Sequence, residues 1–420
     1  MELISARLKL AGLVVLTAIA AACTEKLDNS AGCPILCPDQ GGEVATITID
    51  AVTLDSTVSA LAGQGTETSL LIATRGDTLD SRAIIRFDSI PDRYRRPGAD
   101  TTSVNVTTVD SVVLRLRVDT IGGKIPSSLA LDLYDVNSTA ADTAVAEIAA
   151  LFTPDRLVAS ATFEKAALKD TINIAIPGSV ILSRKGGAFR IGIRARASQS
   201  VQLRLLSQEG AVTPTILSYR VSPDTTVARV TLAPASRTPL NQPILSASFA
   251  DYTLLVKGTA TGAPSQLNIG GLPARRVYMR FNIPQFIIDS VDVVRATLLL
   301  TQQPNLTIDP SDTVQIVPNV SLATASVTDV AKAAQIAIGL QSDTLRVTPG
   351  GSGLKTLEVA SLIAVWRTQK VDETPRALVL VSTLEGTSPL EARFYPAEAA
   401  PNLRPRLRIS YSSRKSTGLP

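Results

Sequence analysis

Histidine is absent from all 420 residues, which removes a Ser-His-Asp triad, a Cys-His pair and any His-ligated zinc from consideration. Aromatic residues make up 4% of the chain, with one tryptophan, Trp366, so aromatic platforms for stacking sugars are scarce. The formal net charge of +4 is weak for this length and excludes a nucleic-acid footprint. Cysteine occurs only at Cys23, Cys33 and Cys37. Two thiolates without histidine make half a tetrahedral metal site, so no metal centre or cofactor is expected. Paired carboxylates could still serve a glycosidase, yet no Asp or Glu stands out from the others. A non-enzymatic protein is the expectation.

Residues 1–22 read as a lipoprotein signal peptide. Arg7 and Lys9 precede an apolar run from Leu10 to Ala22, shorter than the roughly 20 residues of a membrane span but suited to a signal core. Ala20-Ala21-Ala22-Cys23 resembles the bacterial lipobox, with Ala where Leu usually stands. Cys23 is therefore the expected lipidation site, the alternative being an ordinary secretory signal with Cys23 free. The chain would then sit in the cell envelope, extracytoplasmic and anchored by lipid. Thr24 does not suggest inner-membrane retention, so the outer membrane is the expected location. In the polar tether, residues 23–43, Cys33 and Cys37 form an even pair in an oxidising compartment, and a small structural disulfide is the leading reading.

What organises the remainder is a stretch that occurs twice. Ser81-Arg82-Ala83-Ile84-Ile85-Arg86-Phe87 is answered by Arg275-Arg276-Val277-Tyr278-Met279-Arg280-Phe281, and both runs close on Ile-Pro. Ala83, Ile85 and Phe87 share one face of a period-2 pattern with Arg86 on the other. Later landmarks repeat in the same order, ending in Thr213-Pro214-Thr215-Ile216 and Arg404-Pro405-Arg406-Leu407. A period this long means duplicated domains rather than a solenoid. Short strands separated by turns predict an all-β fold: two tandem antiparallel β-sandwich, jelly-roll-like domains, each with a short helical insert. The expected boundaries are 44–221, a linker at 222–227, 228–411 and a tail at 412–420. The inserts are placed at Ala140–Phe152 and Val330–Leu340. Phe87, Phe281, Leu116, Ile193 and Leu205 are expected between the sheets, and Trp366 in a packed helical turn.

These landmarks resemble the DNRLRE-type domain, a bacterial extracellular β-sandwich related to carbohydrate-binding modules. The resemblance rests on Arg86-Phe87-Asp88 with Ile90-Pro91, Val109 to Leu116, Val293 to Leu298, Val359 to Trp366 and Arg404-Pro405-Arg406-Leu407. Repeat one departs from it, with Ile176-Pro177-Gly178-Ser179 at the tryptophan turn and Thr213 and Thr215 at the closing arginines. The resemblance implies an acidic polysaccharide, such as alginate, as partner.

With so few aromatics, recognition of such a ligand falls to arginine, whose planar fork grips carboxylates bidentately. The sequence places the candidates on one hairpin, Phe189–Ala197 and Val201–Leu206, turning at Ser198-Gln199-Ser200. That register sets Arg194 opposite Arg204, with Arg190 and Arg196 alongside, and like charges so placed repel. Two readings remain open: an acidic ligand relieves the repulsion, or an acid from a neighbouring strand does. A structural or partner-docking envelope protein without a glycan ligand is the alternative function. Asp77 with Asp80, and Asp309 with Asp312, could offer oxygens to calcium but lack EF-hand spacing, and solvated turns are the simpler reading.

Overall fold

The computed structural model describes residues 44–53, 57–60, 64–95, 103–210, 215–236, 249–259, 265–307, 309–321, 337–339, 343–368 and 377–414. Cys23, Cys33 and Cys37 lie outside the described residues. Strands β1 (Ala45–Thr53) and β2 (Thr57–Ala60) come first, then β3 (Ser69–Arg75) and β4 (Leu79–Phe87). The short pair β5 (Arg93–Arg95) and β6 (Ser103–Asn105) leads to β7 (Asp110–Lys124), β8 (Ser128–Asp135), helix α1 (Val145–Ala149) and β9 (Leu157–Glu164). Next are β10 (Thr171–Ile176), helix α2 (Gly178–Leu182), β11 (Phe189–Arg196), β12 (Val201–Leu206) and β13 (Ile216–Arg220). Repeat two opens with β14 (Val230–Leu232), β15 (Asp251–Lys257), β16 (Leu267–Gly270), β17 (Ala274–Phe281) and helix α3 (Gln285–Asp289). After these come β18 (Val291–Gln303), β19 (Val314–Ser321), β20 (Ala337–Gly339), β21 (Leu345–Val347) and β22 (Gly353–Glu358). Helix α4 (Ala360–Thr368), β23 (Ala377–Ser382), β24 (Glu391–Phe394) and β25 (Arg406–Ser413) finish the series.

The fold is all-β, with two curled antiparallel sheets and short helices, as the strand pattern requires. One sheet runs β14-β13-β7-β12-β3-β4-β11-β8-β9 with β10 on β7 and β15 on β4; it is called the first unit below. The other runs β1-β25-β18-β24-β16-β17-β23-β19-β20, with β2, β21 and β22 on its flanks, and is the second unit. Alternation decides which side chains face each core. In β10, Ile172, Ile174 and Ile176 are buried while Asn173 and Ala175 are exposed. Phe87, Leu116, Ile193 and Leu205 lie in one core and Phe281 in the other. Each such side chain contributes roughly 1.5–3 kcal/mol by leaving water. Trp366, 1% exposed on α4, packs into the second core.

Sheet membership crosses the boundaries expected from sequence. β1 and β2, the opening strands of repeat one, pair with β25 and β17 of the second unit. β14 and β15, the opening strands of repeat two, pair with β13 and β4 of the first. The repeats have thus exchanged their first two strands reciprocally. Residues 222–227 are not a free linker but a turn packed on the first unit: Val227 is buried in its core, and Thr226 N donates to Asp224 Oδ1 at 2.9 Å. The tail also starts late, since Ser412 and Ser413 still pair with Asp292 and Val291.

The helical inserts are corrected as well. Within Ala140–Phe152 only Val145–Ala149 is helical: Ala144 N closes a turn on the Ala141 carbonyl, and the Ala140 carbonyl accepts from Arg190 Nη1 instead. Of Val330–Leu340, the described part is the strand β20, paired with β19; the rest lies outside the described residues. Repeat one keeps a helix, α2, at its departed tryptophan turn. It begins on Gly178, where a Cβ would lie 1.9 Å from the Val109 carbonyl oxygen, so only glycine lets α2 approach β7 so closely.

Candidate functional site

The expected arginine hairpin does not form. β11 pairs with β4 and β8, whereas β12 pairs with β3 and β7. Arg194 therefore stands beside Asp132 in register and Arg204 beside Asp119. Alternation specifies a strand's faces but not its neighbours, so strands adjacent in sequence need not pair.

Each of the four arginines lies near an acid of the chain, three in direct contact and Arg194 at longer range. Arg190 is wholly buried and donates from Nη1 to Asp142 Oδ1 at 2.8 Å. Asp142 also accepts from Tyr252 Oη at 3.0 Å, Arg86 Nη1 at 3.1 Å and Phe249 N at 2.8 Å. Burial, and then Asp142, push the Tyr252 hydroxyl pKa upward. Arg204, 4% exposed, meets Asp119 at 2.9 Å and donates to the Ile121 carbonyl; burial lowers its pKa and Asp119 opposes that. Arg196 donates to Asp132 at 3.0 Å, and Arg194 lies 3.8 Å from Asp80. Asp80 is held mainly by Arg82. These are fold-building pairs: breaking one of the buried ones would strand its partner at a cost of about 3–5 kcal/mol.

A different group of arginines lies on the outer face of the first unit. There β7 runs between β10 and β13, with β14 beyond β13. Core residues Leu114, Ile174 and Leu217 point inward, so their neighbours Arg115, Asn173 and Ser218 point out. Ser111, Val113, Arg115, Asn173, Ser218 and Arg229 line a depression of about 290 Å³ that, among the described residues, contains no carboxylate. Arg115 Nε donates to Asn173 Oδ1 at 3.4 Å. Arg229 Nε donates to Ser218 Oγ at 3.0 Å, and its Nη2 to the Ser111 and Ser218 carbonyls. These bonds aim both guanidinium groups, while a guanidinium carries five N–H donors and most of those on Arg115 are left for a ligand.

Arg115 was legible in the sequence as an outward residue of an alternating strand, though nothing marked it for binding. Arg229 carried no local signal. It belongs to repeat two by sequence and reaches this face only through the strand exchange.

Of the carboxylates considered for calcium, Asp77 is fully exposed and Asp80 is held by Arg82. Asp309, from the second unit, accepts from Lys124 Nζ and, at 3.1 Å, from Gln202 Nε2 of the first. Beside this junction a cleft of about 440 Å³ is lined by Ile121, Asp312, Gln315, Thr383 and Leu390 among others. Among the described residues no group of three or more Cys, Asp or Glu is arranged to hold a metal ion. Glu67 and Asp251 form a further acidic site with Glu209. Burial raises the pKa of each to about 7, with repulsion from Glu209 adding to it. Gly65 N holds one Glu67 oxygen at 2.7 Å and Gln208 N one Asp251 oxygen at 2.9 Å; the other Asp251 oxygen is buried without a hydrogen bond.

No family model matches the chain, so the DNRLRE-type resemblance rests on its motifs alone. No curated protein matches it either. Among solved structures, "Structure of infectious bursal disease virus Gt strain" aligns at 10% identity over 91% of this chain and 78% of that one. Its TM-score of 0.14 is too low to carry any argument.

Proposed function

We propose that this protein is a non-enzymatic, lipid-anchored envelope protein whose first unit binds an acidic polysaccharide through its outer sheet face. The observation that carries this reading is the depression between β10, β7, β13 and β14, where Arg115 and Arg229 stand with no carboxylate among the described lining residues. Two oriented guanidinium groups beside an amide and a hydroxyl suit a uronate, whose carboxylate accepts from the forks and whose hydroxyls bond Asn173 and Ser218. The DNRLRE-type resemblance, the lipobox-like Ala20-Ala21-Ala22-Cys23 and the chain's shortage of aromatics agree with it. The location moves from the Arg190, Arg194, Arg196 and Arg204 set, whose charges are already answered, to Arg115 and Arg229.

The test is affinity for polyguluronate and polygalacturonate at low and high salt. Wild type binds at low salt and weakens as salt rises. Arg115→Ala with Arg229→Ala abolishes binding at unchanged thermal stability, whereas Arg194→Ala leaves it intact. A wild type without affinity for any uronate polymer at low salt overturns the reading and leaves a structural or partner-docking envelope protein.

A further inference from the structure

The strand exchange decides which unit the N-terminus belongs to. β1 is a strand of the second unit, so residues 1–43 join the described chain there, at Val44. Apolar side chains gather at the same end. Val44 is 57% exposed and directly precedes Ala45, which pairs with Tyr411. Tyr411 pairs in turn with Val293, beside a bulge that puts out Val294 at 60% exposure. Phe286 on α3, 41% exposed, meets the Tyr411 ring edge-on at 5.6 Å. Two arginines flank the group: Arg414 bonds Asp292 at 2.9 Å, and Arg295 bonds Glu358 at 2.9 Å. Both are exposed pairs, worth little in water and free to exchange their acids for other anions.

We propose that this end of the second unit is a membrane-contact surface that seats on anionic phospholipid. Aromatic and aliphatic side chains rimmed by arginine match the bilayer interface, where apolar groups enter the acyl boundary and guanidinium groups meet phosphates. The length of chain outside the described residues argues for the occupant: the apolar run Leu10–Ala22 and Cys23 precede Val44 by a tether of residues 24–43. A lipid attached at Cys23 would bring this end, rather than the first unit, to the bilayer. The proposal rests on the lipid-anchor reading for that direction and for the choice of a bilayer, while the apolar and arginine surface stands on its own geometry. It also leaves the Arg115 and Arg229 face on the unit that does not carry the tether.

Residues 24–420 retain every described element and lack both the leader and Cys23, so they test the surface without the anchor. The assay is flotation with vesicles of phosphatidylethanolamine and phosphatidylglycerol. Phe286→Ser with Val294→Ser lowers partitioning roughly tenfold, in line with the apolar area lost. Leu306→Ser with Leu354→Ser, which are 73% and 52% exposed elsewhere, changes nothing. Three results overturn the proposal: no flotation of the unmutated chain, equal loss in the control variant, or a dimer that the Phe286 and Val294 variant dissolves without any vesicle binding. Membrane partitioning of the full chain carrying Cys23→Ser reads the anchor separately, so one reading can fail while the other stands.

Discussion

The outer faces of the two units are built alike and charged differently. Arg115 on β7 lies opposite Asn173, and its counterpart Leu299 on β18 lies opposite Thr356. Val113 faces Ala175 and Ser218, whereas Thr297 faces Glu358 and Arg408. The exchanged strands extend the contrast. Thr231 of β14 pairs with Ser218, and Thr48 of β1 pairs with Arg408, which sets Arg229 against Thr46 and Ala233 against Asp50. In the second unit the face mixes both signs: Arg295 meets Glu358, Arg404 lies 3.4 Å from Asp50, and Arg406 and Arg408 stand in register with Asp50 and Thr48. In the first, Arg115 and Arg229 meet only neutral groups among the described residues. The scaffold is shared, so the difference lies in the company the arginines keep: Glu358 and Asp50 share the second face with them, and among the described residues no carboxylate lines the depression on the first.

The largest effect is expected from separating the units along the sequence boundary. Residues 44–221 lack β14 and β15, so β4 loses a neighbour and Asp142 loses the Tyr252 hydroxyl. Residues 228–411 lack β1 and β2, which bares β25 and β17. Each fragment alone is expected to fold poorly. Co-expressed, they should co-purify as a one-to-one complex, because each carries the two strands the other needs. Sedimentation and circular dichroism of the separate and combined fragments check this. Two monomeric, cooperatively folded fragments would mean that each repeat closes on its own first strands, and the exchange would then be dispensable.

A smaller effect concerns Asp251, which heads the strand that the first unit receives. Folded, Glu67 and Asp251 hold protons up to about pH 7, whereas carboxyls in the unfolded chain release theirs near pH 4. The folded state therefore binds more protons across that interval. The contribution of these two groups to stability is fullest below about pH 4, falls as pH rises toward 7 and is flat above. Asp251→Asn keeps an acceptor for Gln208 N and removes the buried charge. It is expected to stabilise the protein at pH 8 by on the order of 1–3 kcal/mol and to flatten the slope. Urea unfolding at several pH values reads both; a variant less stable than wild type at pH 8 would remove the charge-burial account.

Period-2 alternation made the faces legible. Phe87, Leu116, Ile193 and Leu205 were readable as core because a strand's own sequence states which side is buried. Trp366 was readable from the apolar spacing of Leu362, Ile363 and Val365. Neighbours were not legible. β11 and β12 satisfy their alternation as well apart as paired, and Thr46-Ile47-Thr48-Ile49 would fit the slot of β14 as readily as its own. The four arginines first singled out lay on strands whose true neighbours, β8 and β7, supply Asp132 and Asp119. The face that remains positive needed the pairing to be known, since Arg229 reaches it across a sequence boundary.

The finest test grafts one residue from the second face onto the first. Ala175 on β10 is exposed and occupies the position that Glu358 holds on β22. Ala175→Glu would place a carboxylate one row from Arg115 and Arg229, within reach of either guanidinium. An exposed pair of this kind changes stability by less than about 1 kcal/mol, so thermal unfolding should barely move. Binding of a uronate polymer should fall sharply, because the new acid both occupies the forks and repels the polymer. Ala175→Gln separates the two causes: it has the same bulk without the charge and should keep most of the affinity. If Ala175→Gln and Ala175→Glu lose affinity equally, shape rather than charge governs the face. If neither loses any, the polymer binds elsewhere, and the contrast between the two faces has no bearing on function.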